Sequence, residues 1–230
     1  MVPAHDEARL IGECLASILN AARAPALAGE PVCIVVVLDG CTDGTGNIAR
    51  SLGAMTVSVA ALNVGVGRAA GAQHCIDAGA RWLAFTDADT RVAPGWLAAQ
   101  LRLADAGHDA VCGTVSIEDW QGYGRAMQRR YLAHYTDADS HRHVHGANLG
   151  VAVAAYCRVG GFAPLACSED VALVEALLAD GASVAWSAAP RVVTSARRDF
   201  RAAGGFGATL LRMDAESGAG SGAALAPIAP

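Results

Sequence analysis

Trp82-Leu83-Ala84-Phe85-Thr86-Asp87-Ala88-Asp89-Thr90 is an apolar run that ends in two acids with one small residue between them. The run has the length and aromatic content of a buried strand. If period two continues to its end, Asp87 and Asp89 lie on one side, about 6–7 Å apart at their Cα atoms. Two carboxylates so placed repel each other unless positive charge lies between them. A hard divalent cation with oxygen ligands meets that need, and such ions commonly carry substrate phosphates as further ligands. The carboxyl ends of strands are also where open α/β sheets bind ligands. A strand followed by an ordinary polar turn accounts for the same residues, so the rest of the chain has to decide.

On the N-terminal side, residues 32–38 form a continuous β-branched run, as expected of a central parallel strand covered on both faces. It stops at the polar, Gly-rich turn Asp39-Gly40-Cys41-Thr42-Asp43-Gly44-Thr45, and a helix is predicted from there to about residue 52. Residues 55–59 read as a short strand. Asn63-Val64-Gly65-Val66-Gly67-Arg68 is a Gly-rich loop opening a helix that ends near Gly79. Earlier still, Leu10, Ile11, Cys14, Leu15, Ile18 and Leu19 recur with helical spacing, behind Asp6 as N-cap. After the paired acids a helix is expected over 94–106. The order β-α-β-α-β-α-β-α predicts a parallel sheet with right-handed crossovers.

The second half changes character. A strand is predicted at 110–117. Residues 120–137 place Trp120, Tyr123, Met127, Tyr131 and Tyr135 at helical spacing, and 146–154 is apolar and extended. A helix over 168–180 has Ser168 as N-cap and Gly181 just beyond it, and short strands follow at 183–186 and 192–195. Residues 214–230 are Ala/Gly/Ser/Pro-rich with little to bury and read as a flexible tail.

A chain of 230 residues can build one substantial core, and 53% hydrophobic against 17% charged residues marks it as globular. The net charge of −5 leaves no basic excess for nucleic acid. The basic residues are all Arg, the better bidentate partner for phosphate. Seven scattered Cys with no C-x-x-C point to a reducing compartment. No basic segment followed by an apolar stretch opens the sequence, and no apolar run approaches the roughly 20 residues of a membrane span. The expectation is a soluble cytoplasmic protein, with peripheral membrane contact left open.

Four stretches together resemble the family-2 glycosyltransferases of the GT-A fold. Val2-Pro3-Ala4-His5-Asp6-Glu7 is similar to their P-A-x-N-E opening, and Val37 to Thr45 to their D-D-G-S-T-D-G-T. Asp87-Ala88-Asp89 stands at the D-x-D position. Gly160-Gly161-Phe162 with Ser168-Glu169-Asp170 resembles their G-G-F…E-D block. The resemblance covers about residues 2–198. It implies an α/β GT-A domain over 1–213, with a mostly parallel sheet flanked by helices. The nucleotide-binding half would be about 1–108 and the acceptor-side half about 109–213.

The resemblance also implies roles. Pro3, Ala4, Glu7, Asp39, Arg68, Asp87 and Ala88 would bind a nucleotide-sugar donor, UDP-linked in the first instance. Asp39 would accept from the uracil imide N–H, for which an acceptor-only carboxylate is suited. Asp89 would bind Mg²⁺ or Mn²⁺ bridging the diphosphate. Asp170 would be the general base toward an acceptor hydroxyl, with Glu169 positioning it. Its place in a first helical turn favours the ionised and less basic form. The product is that of a single displacement with inversion, and the absence of Q-x-x-R-W after Asp170 points to a non-processive enzyme.

Each role has an ordinary counterpart. Asp39 and Asp43 suit any turn, Asp170 any helix start, and the aromatic stripe any packed helix. Arg68 suits a solvated helix surface. The basic pair Arg197-Arg198 could clamp phosphate. His141, His143 and His145 would share a face of an extended segment, and imidazole suits zinc. No Cys or acid stands at ligand spacing beside them, so a polar acceptor loop is preferred.

Three departures from the family pattern stand out. Only Met1 and Val2 precede Pro3, where four to six apolar residues are usual; the expectation is a start further upstream and a short form of reduced stability. Leu38 replaces the leading Asp. No His follows His145 to serve as a further metal ligand. The alternatives are a sugar-nucleotide nucleotidyltransferase, whose Gly-rich basic signature is missing from residues 3–9, and a non-catalytic nucleotide-sugar-binding protein.

Overall fold

The computed structural model describes residues 1–201 and 204–218. β1 (Val2–Ala4) leads to helix α1 (Ile11–Ala22), and β2 (Val35–Asp39) to the short α2 (Thr45–Ser51). β3 (Met55–Val59) leads to α3 (Val64–Asp77), and β4 (Trp82–Phe85) through a turn to β5 (Thr90–Val92) and α4 (Trp96–Asp105). The second half holds β6 (Ala110–Ser116), α5 (Arg125–His134), β7 (Leu149–Ala152), α6 (Val153–Arg158), α7 (Glu169–Ala179), β8 (Val184–Thr194) and α8 (Phe206–Gly218).

β1, β2 and β3 pair in parallel, with Val2 opposite Val36 and Val36 opposite Thr56. β4, β7, β6, β8 and β5 form a mixed sheet, antiparallel except for β6 against β8. Two bonds join the sheets: the Met1 ammonium donates to Ala84 O at 2.7 Å, and Thr86 N–H donates to Met1 O at 3.2 Å. β1 therefore lies between β2 and β4, and the carboxyl ends of all three reach one edge. The parallel order expected from the sequence holds for the first half. The second is mixed because β7 returns antiparallel to both of its neighbours.

β2 separates two cores, as its unbroken run of fully buried valines requires. Val36 and Leu38 face Ile11, Leu15, Ile18 and Trp96; Val35 and Val37 face Ala72, Phe85, Leu149 and Leu173. A third cluster joins α5 to α8 through Met127, Tyr131, Leu210 and Met213.

Several local readings are corrected. Asp6 does not cap α1, which starts at Ile11 behind Leu10; its carboxylate receives Thr42 N–H and Asp43 N–H instead. Ser168 occupies the N-cap position of α7 in a left-handed conformation (φ 58°) with no side-chain cap bond. The strands expected at 183–186 and 192–195 are one strand, β8. Pro190 falls in the irregularity between Ser187, paired with Gly113, and Arg191, paired with Thr114. A proline that lacks an N–H fits such a bulge. α6 begins where the extended run over 146–154 was expected to continue. α8 extends to Gly218, into the stretch read as tail; residues 219–230 lie outside the described residues. No helix among the described residues is long and apolar enough to cross a membrane.

Candidate active site

A cavity of about 620 Å³ opens where β1, β2 and the β4–β5 turn end, and α7 and the segment after β8 close its other sides. Pro3 and Ala4 line it from the first strand, Glu7 from the turn that follows, Asp39 from the second strand, and Arg68 from α3. Asp87, Ala88 and Asp89 come from the turn, and Glu169 and Asp170 from α7. Every site residue expected from the sequence thus borders one space.

Asp39 is 6% exposed, and its carboxylate accepts backbone N–H groups from Ala61, Leu62 and Asn63, each at 2.8 Å. It anchors the loop that leads into α3, where Leu62 is held at φ 48°. A carboxylate has about four acceptor positions. One is left, on Oδ2, and Asp39 borders the cavity. His5 Nδ1 lies 2.7 Å from Asp39 O, so the two strand ends are tied together beside it.

Arg68 is no surface residue. It is 3% exposed, and its guanidinium donates from Nε to Glu169 at 2.9 Å, from Nη1 to Gly146 O at 2.9 Å, and from Nη2 to Asp87 at 2.5 Å. Gly146 makes this possible, since a Cβ there would sit 2.4 Å from Nη2. With three nitrogens engaged, Arg68 organises the site around it.

Asp170 accepts Gly146 N–H at 2.6 Å and Val171 N–H at 2.9 Å. Burial raises its pKa above the usual carboxylate range, opposed by the Arg68 charge and these two bonds. The sequence expectation of a less basic carboxylate at a helix start is overturned: desolvation outweighs the favourable terms. Burial likewise raises Glu169, again against Arg68.

Asp87 and Asp89 do not continue the strand. β4 stops at Phe85, and Thr90 N–H closes a turn onto Asp87 O at 3.1 Å. Asp87 turns to Arg68, and Asp89 to Arg197, whose Nε lies 3.3 Å away. Arg197 also makes a two-nitrogen ion pair with the buried Glu7. Its neighbour Arg198 points elsewhere, pairing with Asp214 at 2.6 Å over the Tyr123 ring. Burial first, and the Asp87 charge second, push Asp89 up to about 7.

A divalent metal fits these donors. Asp89 is a hard oxygen ligand whose one nearby cation, Arg197, does not offset its burial and the Asp87 charge. Among the described residues, no group of three or more His, Cys, Asp or Glu could hold an ion alone. The shell would be completed by phosphate oxygens and water, as Mg²⁺ and Mn²⁺ allow. The three histidines do not form a zinc site. His141, His143 and His145 stack with centroids 5.5 and 5.9 Å apart, and one ring nitrogen of each is already engaged in a hydrogen bond.

The sequence of residues 1–160 matches the profile described as Glycosyl transferase family 2. The chain belongs to that family. Solved structures of like fold include the mannosyltransferase PcManGT from Pyrobaculum calidifontis with GDP-Man and Mn²⁺, at TM-score 0.60 and 20% identity. S. aureus TarS 1-349 with UDP-GlcNAc aligns at TM-score 0.64 and 16% identity, and GalNAc-T7 with UDP, GalNAc and Mn²⁺ at 0.63 and 14%. These alignments cover 86%, 94% and 84% of this chain, but it spans only 56%, 64% and 42% of the three proteins. No curated protein sequence matches it. The α/β architecture is therefore the GT-A fold of family 2, as the motifs implied.

Sequence reasoning weighed Arg197 only as half of a basic pair and did not single out Arg201, which lies 3.9 Å from Glu7. The aromatic stripe with Tyr131 could receive an acceptor or, as preferred, pack against the sheet; Tyr131 and Tyr135 pack and also border the cavity with His143 and His145. The spacing of an acidic Glu7 and two distant arginines carries no local signal.

Proposed function

We propose that this family-2 protein is a non-processive, inverting glycosyltransferase that moves a sugar from a UDP-sugar, or another nucleoside-diphosphate sugar, to an acceptor hydroxyl. One observation carries the reading: Asp39, Asp89 and Asp170 border the same cavity at the strand ends. Asp39 has an acceptor position left for a base N–H. Asp87 and Asp89 lie where a diphosphate would pass, and Asp89 would hold Mg²⁺ or Mn²⁺. When bound, the ion supplies Lewis-acid neutralisation of the leaving diphosphate.

Asp170 takes the proton of the acceptor hydroxyl. The hydroxyl oxygen forms its bond to the anomeric carbon as the bond to the diphosphate oxygen breaks, and that oxygen keeps the electron pair. A pKa raised by burial makes Asp170 a better base than an exposed Asp. Arg68 holds Asp87 and Glu169 in place. Arg197 stands beside Asp89 as a second cation for the diphosphate.

The test is a thermal-shift screen of UDP-glucose, UDP-GlcNAc and GDP-mannose with and without Mn²⁺, followed by UDP or GDP release. Metal-dependent binding with release supports the reading. Binding without release to any acceptor makes the protein a non-catalytic nucleotide-sugar binder, and no binding overturns both.

A further inference from the structure

The cavity is also lined by a group of rings to which the reading above gives no role. Tyr135 stacks on His143 at 4.2 Å and 7°, and His145 lies 5.9 Å from both, with the Phe206 edge 6.0 Å away. This packing fixes how the His145 ring is turned.

A hydrogen-bond chain also fixes its proton. Val115 N–H donates to Tyr135 Oη at 2.8 Å, and Tyr135 Oη lies 3.0 Å from His145 Nε2. Among the described residues the phenol proton finds an acceptor at Nε2 alone. A proton on Nε2 would leave that half-buried hydroxyl hydrogen without a protein partner, a cost below the roughly 1–3 kcal/mol of a fully buried group. The neutral ring therefore carries its proton on Nδ1. Among the described residues nothing accepts from Nδ1, while His145 borders the cavity. Burial, then the neighbouring His143 and His141, push His145 down to about 3, so it stays neutral at any ordinary pH.

The next residue, Gly146, donates its N–H to Asp170. The carboxylate of Asp170 on α7 is thus hydrogen-bonded to the residue that follows His145, and both side chains border the cavity. We propose that His145 binds the acceptor directly, its Nδ1–H donating to the oxygen next to the hydroxyl that Asp170 deprotonates, which assigns the acceptor to vicinal diols of the kind a sugar ring presents. One hydroxyl gives its proton to Asp170, and its neighbour accepts from His145. Tyr135 is a positioning residue that sets the tautomer. An uncharged imidazole suits a hydroxyl oxygen better than a phosphate or carboxylate, which calls for a cation.

The inference rests on the glycosyltransferase reading. Its test uses the full chain with whichever of UDP-glucose, UDP-GlcNAc or GDP-mannose binds, Mn²⁺, and methyl glycopyranosides alongside their monodeoxy analogues. Removing the hydroxyl beside the reacting one should lower kcat/KM about tenfold, the size of one hydrogen bond. His145→Ala should show the same loss on the diol, no further loss on the deoxy sugar, and unchanged donor binding and donor hydrolysis. Nitrogen-15 spectra at neutral pH should show His145 as the Nδ1–H tautomer, with Tyr135→Phe shifting it toward Nε2–H. If His145→Ala does not fold, Tyr135→Phe carries the comparison. An Nε2–H tautomer in the native protein, equal losses on both sugars, or hydrolysis of donor with no transfer to any diol would each overturn the inference while the donor-side reading stands. Failure of all three donors to bind removes both.

Discussion

Asp87 and Glu169 are bridged by one buried guanidinium, with Arg68 donating to the first at 2.5 Å and to the second at 2.9 Å. One acid belongs to the β4–β5 turn and the other to α7, so Arg68 ties two walls of the cavity together. Arg68→Ala leaves Glu169, 5% exposed, with no cation. Removing one partner of a buried pair costs about 3–5 kcal/mol. Arg68→Lys should recover only part, because one ammonium cannot reproduce a three-way fork. Urea unfolding of the three proteins checks both; a loss within about 0.5 kcal/mol for Arg68→Ala would show the bridge to be incidental.

Asp89 makes stability depend on pH in an unusual direction. Its folded pKa, about 7, lies above the unfolded value, so between about pH 4 and 7 the folded state binds the extra proton. Stability should therefore fall as pH rises from 5 to 8 in metal-free protein, and Asp89→Asn should flatten that slope. The same substitution should abolish metal-dependent UDP binding. Melting curves across pH and calorimetry with Mn²⁺ and UDP check the two halves. Unchanged metal-dependent binding in the variant would remove Asp89 from the metal's shell.

Asp170→Asn keeps the shape and the Gly146 bond but cannot take a proton. Turnover should drop about 10²-fold or more while donor affinity stays near wild type. Turnover near wild type with a working acceptor would leave Asp170 as a helix-start acid alone.

Much of this fold was legible because its signals are local. Val35, Val36 and Val37 are fully buried as the run over 32–38 predicted, but its start was misjudged: β2 begins at Val35, and Val32 is 37% exposed. The Asp-x-Asp stretch announced a strand end but not its geometry. The directions of Asp87 and Asp89 are set by Arg68 and Arg197, which lie far away in the chain. Pro190 split β8 into two in the sequence because a bulge paired across to Gly113 leaves no mark in a window of neighbours. α6 was hidden for a similar reason, since Val153 follows β7 with no turn residue between them. The state of His145 depends on Tyr135 and on a backbone N–H of β6, and no spacing rule joins those three.

Arg197 and Arg198 are neighbours in sequence with unlike surroundings, and they should separate in every measurement. Arg197→Ala strips the two-nitrogen partner from the buried Glu7, leaving only Arg201 at 3.9 Å, and should cost about 3–5 kcal/mol. Arg198→Ala removes a half-exposed pair with Asp214 and a contact over Tyr123, together worth about 1 kcal/mol. Ligand binding divides them further. Arg197 stands beside Asp89 on the proposed diphosphate path, whereas Arg198 is turned toward α8. Arg197→Lys, which keeps a cation near Glu7, should weaken UDP binding without changing uridine binding, because only the former has phosphates to lose. Arg198→Ala should change neither. Calorimetry with UDP and with uridine on both variants decides: equal losses for the two ligands would mean that Arg197 acts only by holding Glu7 and the shape of the cavity.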